Sequence, residues 1–250
     1  MPSFHNRSVE IAFLDEGEGE PILLVHGFAS SKEFNWVNPG WFTTLKGAGR
    51  RVIALDNRGH GQSTKLYDPA DYHTERMVDD ARALLDHLGL PRADVMGYSM
   101  GARIAAFLAL AHADRTRSIV LGGLGLHLVD GVGLPESIAE ALEAPSLADV
   151  TDPQGRTFRA FADQTRSDRR ALAACIRGSR QVMARDKAAS IQTPTLIAVG
   201  TKDPIAGSAE QLAAIIPKAA VLPIPGRDHM LAVGDKVFKA GVLQFLQENG

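Results

Sequence analysis

Apolar residues fall in short unbroken blocks along much of the chain. Between the blocks they recur at every third or fourth position. The blocks are Pro21-Ile-Leu-Leu-Val-His26, Arg51-Val-Ile-Ala-Leu-Asp56, Val95-Met96, Ser118-Ile-Val-Leu121, Thr195-Leu-Ile-Ala-Val199 and Ala220-Val-Leu-Pro-Ile224. Continuous runs of this kind predict strands covered on both faces. Residues 8–15 read as a further strand that ends in the turn-rich Asp15-Glu-Gly-Glu-Gly-Glu20. Met77, Ala81, Leu84, Leu85 and Leu88 form an apolar stripe at helical spacing, stopped at Leu90-Pro91 because the residue before proline avoids helical geometry. Ala102 to Ala113 predicts a second helix and Ala209 to Ile216 a third, ended by Pro217. Val237, Gly241, Leu243, Phe245 and Leu246 mark a fourth. Strands alternating with helices imply crossover units and a doubly wound, mostly parallel sheet.

The alternation stops between residues 126 and 190. This stretch has Gly and Pro early, then helix-like pieces rich in Ala, Arg and Leu, and no strand pattern. It is longer than a plain crossover needs. The expected organisation is a core of residues 1–125 and 191–250, with residues 126–190 inserted as a helical lid (cap) above the carboxyl ends of the strands.

With 250 residues the chain is long enough for a sizeable core. Twenty-seven Lys and Arg against 29 Asp and Glu, with no basic stripe, argue against a nucleic-acid partner. The arginines between Arg156 and Arg185 are interrupted by Asp163 and Asp168 and read as a solvated helix face. A single cysteine, Cys175, excludes an intramolecular disulfide and reads as a buried helix position. No apolar run approaches membrane-spanning length, and Met1 to Arg7 carry no export segment, so the expected location is the cytoplasm. Metal and cofactor readings find no support. No paired His-x-x-x-His with an acid occurs, Gly59-His-Gly61 lacks the lysine of a phosphate loop, and no Gly-x-Gly-x-x-Gly opens the first strand–helix unit.

The candidate chemistry centres on Gly97-Tyr98-Ser99-Met100-Gly101, placed between a predicted strand and a predicted helix. That is the setting of a turn tight enough to project a serine hydroxyl, although the same pentapeptide suits an ordinary turn of small residues. A serine needs a base, and the base an orienter. Of the eight histidines, His229 follows the last predicted strand on the loop Gly226-Arg-Asp-His229, which reaches the top of the sheet. Asp203, just after Thr195–Val199, is the expected orienter. Asp228 adjoins His229 too closely to bend back onto it, and Asp56 suits the pinning of its own loop. The backbone N–H groups of Met100 and Phe28 are the expected oxyanion donors. His26 is expected to brace the Phe28 loop and is also a candidate residue of the substrate pocket. Tyr98, Phe28 and Met100 are candidate walls of an apolar pocket. Leu124, Leu126, Leu128, Leu147, Phe158 and Phe161 suit either the pocket or the lid's own core.

The chain resembles the α/β-hydrolase fold superfamily over essentially its full length. The resemblance rests on His26-Gly27-Phe28, Asp56-Asn-Arg58-Gly-His-Gly61-Gln-Ser63, Gly97-Tyr-Ser-Met-Gly101, Asp203 and Gly226-Arg-Asp-His229. It implies a core of eight strands with a lid after the sixth, and the order Ser99, Asp203, His229 matches that fold. Related epoxide hydrolases and dehalogenases use an aspartate where this chain has Ser99. Lid tyrosines of the epoxide hydrolases also find no match, since Tyr67, Tyr72 and Tyr98 all lie outside the lid. Carbon–carbon hydrolases of aromatic ring cleavage usually carry an extra glycine and proline where this chain has Phe28-Ala29. The elbow followed by Ala102-Arg103 is similar to that of the menaquinone-pathway synthase that eliminates pyruvate.

The resulting expectation is a serine carboxylesterase, monomer or homodimer, that cleaves esters of small to medium acyl chains through an acyl-enzyme and needs no cofactor. The alternative is a lactonase or a carbon–carbon hydrolase or lyase acting on an acidic metabolite, with Arg103, Arg156, Arg159, Arg166, Arg169 or Arg177 holding its carboxylate. A non-catalytic small-molecule receptor is the reading from a different class.

Overall fold

A computed structural model describes residues 2–131 and 133–249, and Met1, Val132 and Gly250 lie outside that description. Among the described residues one sheet holds β1 (Ser3–Asn6), β2 (Val9–Glu16), β3 (Glu20–Val25), β4 (Arg50–Leu55), β5 (Ala93–Tyr98), β6 (Thr116–Gly122), β7 (Thr195–Gly200) and β8 (Ala219–Ile224). Their order in space is β1-β2-β4-β3-β5-β6-β7-β8. β1 and β2 pair antiparallel, as do β2 and β4, and every pair from β4 to β8 is parallel. This is the doubly wound, mostly parallel sheet that the sequence patterns imply and the α/β-hydrolase topology that the resemblance implies.

The unbroken apolar runs serve two cores at once. Leu23, Val25, Ile53, Leu55 and Val95 face one side of the sheet, while Ile22, Leu24, Val52, Ala54 and Met96 face the other. This is the alternation a pleated strand imposes. Helices α2 (Thr74–His87) and α3 (Met100–Ala111) cover the first face. Helices α1 (Trp41–Gly47) and α9 (Lys236–Asn249) cover the second, where Trp41 and Phe238 meet edge-to-face at 5.0 Å.

The chain leaves β3 for β4 on one side and returns to β5 on the other. The strand order therefore reverses at β3 and β5, whose carboxyl ends open the crevice in which α/β sheets place their ligands. In sequence between β6 and β7 come α4 (Ser137–Glu143), α5 (Pro153–Gln164), α6 (Arg169–Gly178) and α7 (Arg185–Ala189). No strand is assigned to the described residues of this stretch. α6 is tied to the core: Tyr67 OH donates to Asp168 Oδ2 at 2.9 Å, and Gln181 Oε1 accepts from the Thr74 N–H at 2.8 Å and its hydroxyl at 2.7 Å.

Some boundaries differ from the pattern. β1 carries no readable signal, because of its four residues only Phe4 is buried. α3 starts at Met100, directly behind Ser99, and ends at Ala111. The helix expected over Ala209 to Ile216 is the short α8 (Ala209–Ala213), with Ile215 and Ile216 packed beyond its end.

Candidate active site

Ser99 sits in the turn between β5 and α3 with φ 55° and ψ −113°, a backbone state a residue with a side chain rarely adopts. The turn closes because Gly97 and Gly101 have no side chains. A Cβ on Gly97 would lie 2.1 Å from Gly101 O, and one on Gly101 would lie 2.0 Å from Val25 O. The strained turn lifts the serine hydroxyl out of the sheet.

His229 Nε2 lies 3.0 Å from Ser99 Oγ, and His229 Nδ1 lies 2.7 Å from Asp203 Oδ2. The other carboxylate oxygen of Asp203 accepts the N–H groups of Ile205 and Ala206 at 2.8 and 3.1 Å, which fixes its orientation. The Asp203 side chain is fully buried and that of His229 nearly so. With Nδ1–H donating to the carboxylate, Nε2 is left as the acceptor that faces the serine.

Several side chains hold the backbone of the loop after β3. Asn35 Oδ1 accepts from the Gly27 N–H at 3.0 Å. His26 Nδ1 donates to Gly27 O at 2.7 Å, and His60 Nε2 accepts from the Ala29 N–H at 3.2 Å. Asp56 accepts the Lys32 N–H at 2.9 Å and pairs with the buried Lys32 ammonium at 2.5 Å. Among the described residues no protein acceptor takes the Phe28 N–H. The Met100 N–H opens α3 and has no intrahelical partner. Two unpaired N–H groups therefore border Ser99, one of them at the positive end of a helix.

Both loop histidines are neutral. His26 accepts the Asn57 N–H on Nε2 at 3.0 Å, and burial pushes its pKa down. Burial, joined by the nearby His26, pushes His60 down to about 3.

A cavity of about 200 Å³ opens on Ser99 and His229, walled by Phe28, Phe34, Tyr98, Leu134, Phe158 and Phe161, with Asn35, Met230 and Val233 also on its lining. The helix α5 aromatics reach the core through ring contacts, Phe158 with Phe28 at 5.6 Å and Phe161 with Phe34 at 6.0 Å. A second, narrower cavity of about 40 Å³ lies on the other side of Ser99, lined by Met100, Leu124, Arg103, Ser179 and Ile205 among others.

Of the residues expected at the pocket, Ser99, His229, Phe28, Tyr98, Phe158 and Phe161 line the larger cavity, and Met100 and Leu124 the smaller. Asp203 stands behind His229. His26 and Leu126 line neither cavity: His26 is buried beneath the Phe28 loop, and Leu126 starts a 3₁₀ turn packed on the core. Arg156, Arg159, Arg166, Arg169 and Arg177 are also absent from both linings. Arg103 borders the narrow cavity, but its guanidinium is turned into protein. It donates to the carbonyls of His127, Leu128, Gly131 and Gln181 at 2.5 to 3.2 Å, and burial lowers its pKa to about 10.

Asn35 escaped the sequence reading. It is 5% exposed, it lines the larger cavity, and its Nδ2 has no partner among the described residues. Its only sequence signal is a polar residue between Phe34 and Trp36. The described residues contain no cluster of His, Cys, Asp and Glu suited to a metal, and none of the described helices is long and apolar enough to cross a membrane.

Residues 20–184 match the family model of the alpha/beta hydrolase fold. The chain is 37% identical over 143 residues to the 2-hydroxymuconate semialdehyde hydrolase of Pseudomonas putida, a match covering 54% of this chain and 47% of that protein. The aligned part thus spans about half the length of that relative. It is 28% identical over 278 residues to the non-heme chloroperoxidase CPO-A1 of Kitasatospora aureofaciens, covering 96% and 97% of the two chains. The enol-lactonase from Burkholderia xenovorans LB400 superposes with a TM-score of 0.80 at 23% identity, over 98% of this chain and 100% of that one.

Proposed function

The chain belongs to the alpha/beta hydrolase fold family, and we propose that it is a serine hydrolase that cleaves a bond next to a carbonyl in a small organic substrate through an acyl-enzyme. The observation that carries this reading is the line Ser99 Oγ, His229 Nε2, His229 Nδ1 and Asp203 Oδ2, with links of 3.0 and 2.7 Å, at the floor of a cavity that two unpaired N–H groups border.

Ser99 Oγ attacks the carbonyl carbon while His229 Nε2 takes its proton, and Asp203 stabilises the imidazolium that forms. The carbonyl oxygen becomes an oxyanion and accepts from the Phe28 and Met100 N–H groups. Collapse breaks the bond to the leaving group, and His229 returns the proton to it, at oxygen for a lactone or ester and at carbon for an enolate. A water that gives its proton to His229 then attacks the acyl-enzyme, and the acid is released with Ser99 restored. Helices α4 to α7 act in this scheme as a lid, with Phe158 and Phe161 closing the cavity from above.

Among the bonds such a site cleaves, a lactone or a carbon–carbon bond in an oxygen-bearing substrate is the better supported. The likeness to the semialdehyde hydrolase supports it, and so does the unpaired Nδ2 donor of Asn35 on an otherwise largely apolar wall, which suits a second oxygen on the substrate. A plain carboxylic ester is the second reading, supported by the aromatic lining and by an Arg103 already spent on carbonyls.

The test is steady-state turnover of three substrate sets: p-nitrophenyl esters from acetate to dodecanoate, small lactones, and hydroxy-oxo-dienoic acids. S99A is run beside the wild type throughout. Activity that S99A abolishes supports the serine hydrolase, and the set with the highest kcat/KM identifies the bond. Turnover that survives in S99A overturns the mechanism.

A further inference from the structure

The glycine pair at the end of β6, Gly122-Gly123, carries no acid and has no part in the chemistry above, yet it lies against both Tyr98 and His229. A Cβ on Gly122 would lie 2.7 Å from the Tyr98 ring. A Cβ on Gly123, where φ is +62°, would lie 2.9 Å from Tyr98 Cζ and 3.1 Å from His229 Cε1. The missing side chains open a slot into which the Tyr98 ring slides, with the imidazole beside it at a centroid distance of 5.5 Å. At the far end of the slot, Tyr98 OH donates to the main-chain oxygen of His229 at 2.6 Å. Tyr98 is 4% exposed. Its hydroxyl is therefore spent on the protein, although the ring lines the cavity.

We propose that Tyr98 is a positioning residue for His229, acting through the His229 carbonyl, and that Gly122-Gly123 is the seat that lets it do so. The proposal rests on the serine-hydrolase reading.

His229 stands on a loop whose next two residues, Met230 and Leu231, are half exposed or more. Asp228 Oδ1 accepts the N–H groups of these two residues at 3.0 and 2.9 Å, which shapes the turn after the histidine. That turn holds the loop to itself. The Asp203 contact holds the tip of the imidazole, and the Tyr98 hydroxyl holds the main chain from which the imidazole hangs, tying it to the end of β5, one residue before Ser99. Nucleophile and base are thus joined by a path independent of the reacting groups. Tyr98 and Ser99 are neighbours in sequence, so a shift in one end of β5 carries the histidine with it. A base displaced by a fraction of an ångström loses alignment with the hydroxyl proton, and such misplacement costs far more in rate than in binding.

The test is Tyr98→Phe, which keeps the ring in its slot and removes only the hydroxyl. The readouts are kcat and KM on the best substrate of the panel, the melting temperature, and the far-downfield proton resonance of the His229–Asp203 hydrogen bond. The expected result is a fall in kcat of about ten- to a hundredfold with KM little changed, together with a broadened or shifted downfield proton. A melting temperature close to wild type would separate this from a general loss of fold. Tyr98→Phe with kcat within twofold of wild type and the downfield proton unmoved would overturn the proposal. Equal falls in kcat and stability, with the proton unmoved, would also overturn it in favour of a merely structural tyrosine. Wild-type turnover that depends on Ser99, measured first, keeps this outcome distinct from a failure of the serine-hydrolase reading.

Discussion

The Gly27 N–H donates to Asn35 Oδ1 at 3.0 Å, and this one bond determines which end of the Asn35 amide is free. The loop needs an acceptor there, so the oxygen is committed and the Nδ2 donor is left unpaired on the cavity wall. An unpaired buried donor is disfavoured by about 1–3 kcal/mol, a cost that a substrate oxygen at that position removes.

Asn35→Asp tests this role, because a carboxylate still accepts from Gly27 but offers no donor. The expected effect is a KM raised roughly tenfold for substrates with an oxygen beyond the reacting carbonyl, in line with the loss of one buried hydrogen bond. For S-phenyl thioacetate, whose only oxygen is the reacting carbonyl, the KM stays within about twofold, since no second oxygen is there to lose. A uniform rise across both substrate types would instead show that Asn35 serves only the loop.

Asp203→Asn should leave the fold intact and reduce kcat by about a thousandfold or more, because the amide no longer holds the Nδ1–H tautomer of His229 or balances the imidazolium. The carboxylate's bonds to the Ile205 and Ala206 N–H groups can persist with the amide oxygen, so the melting temperature should change little. Single-turnover acylation followed by stopped flow would assign the loss to the first chemical step.

Much of this was legible in the chain because it is local. The strand blocks, the elbow glycines and the acid and histidine that follow β7 and β8 are each specified by a few consecutive residues. The parts that were not legible depend on pairs far apart in sequence. Nothing in Gly122-Gly123 announces a slot for Tyr98, and the cavity-facing amide of Asn35 is chosen by a bond to Gly27 that only the folded loop makes. Arg103 shows the same limit. One turn past Ser99 its helix position permits either substrate or protein, and the carbonyls of residues up to 78 positions away decide for protein. His26 and Leu126 neighbour the motifs in sequence, but their side chains pack beneath the Phe28 loop and on the core rather than on either cavity.

Stability should fall as pH drops from about 6.5 towards 3. In the folded protein His26 accepts the Asn57 N–H and His60 the Ala29 N–H, so protonation of His60 breaks a bond that shapes the Phe28 loop and protonation of His26 one that ties it to the loop after β4. Their folded pKa values lie below the ordinary histidine value, His60 at about 3, so the unfolded chain binds protons first in this window. The stabilisation is complete above the unfolded pKa and is lost as pH falls towards the folded one. Each imidazole contributes a slope of up to about 1.4 kcal/mol per pH unit. Urea unfolding between pH 7 and 4.5 would measure it. His60→Gln, whose amide both accepts from Ala29 and donates to Arg58 O, should flatten the slope by about one proton.

Arg103 decides how much of an acidic-substrate reading the chain itself supports. A carboxylate-binding arginine needs free N–H groups, and four of the five on this guanidinium are committed to the carbonyls of His127, Leu128, Gly131 and Gln181. These carbonyls lie before α4 and after α6, so the side chain ties the chain on both flanks of α4–α6 to α3. Arg103→Met should therefore lower stability by about 2–4 kcal/mol, the usual scale for leaving several buried acceptors unpaired. It should leave the ratio of kcat/KM between anionic and neutral substrates unchanged within about twofold. The measurement is that ratio, taken with matched esters differing only in a terminal carboxylate, alongside urea unfolding of both proteins. A ratio that collapses while stability holds would place Arg103 on the substrate. A ratio that holds while stability falls leaves Asn35 as the polar contact on the wall of the larger cavity, and points to a substrate recognised through an uncharged or singly hydrogen-bonded oxygen.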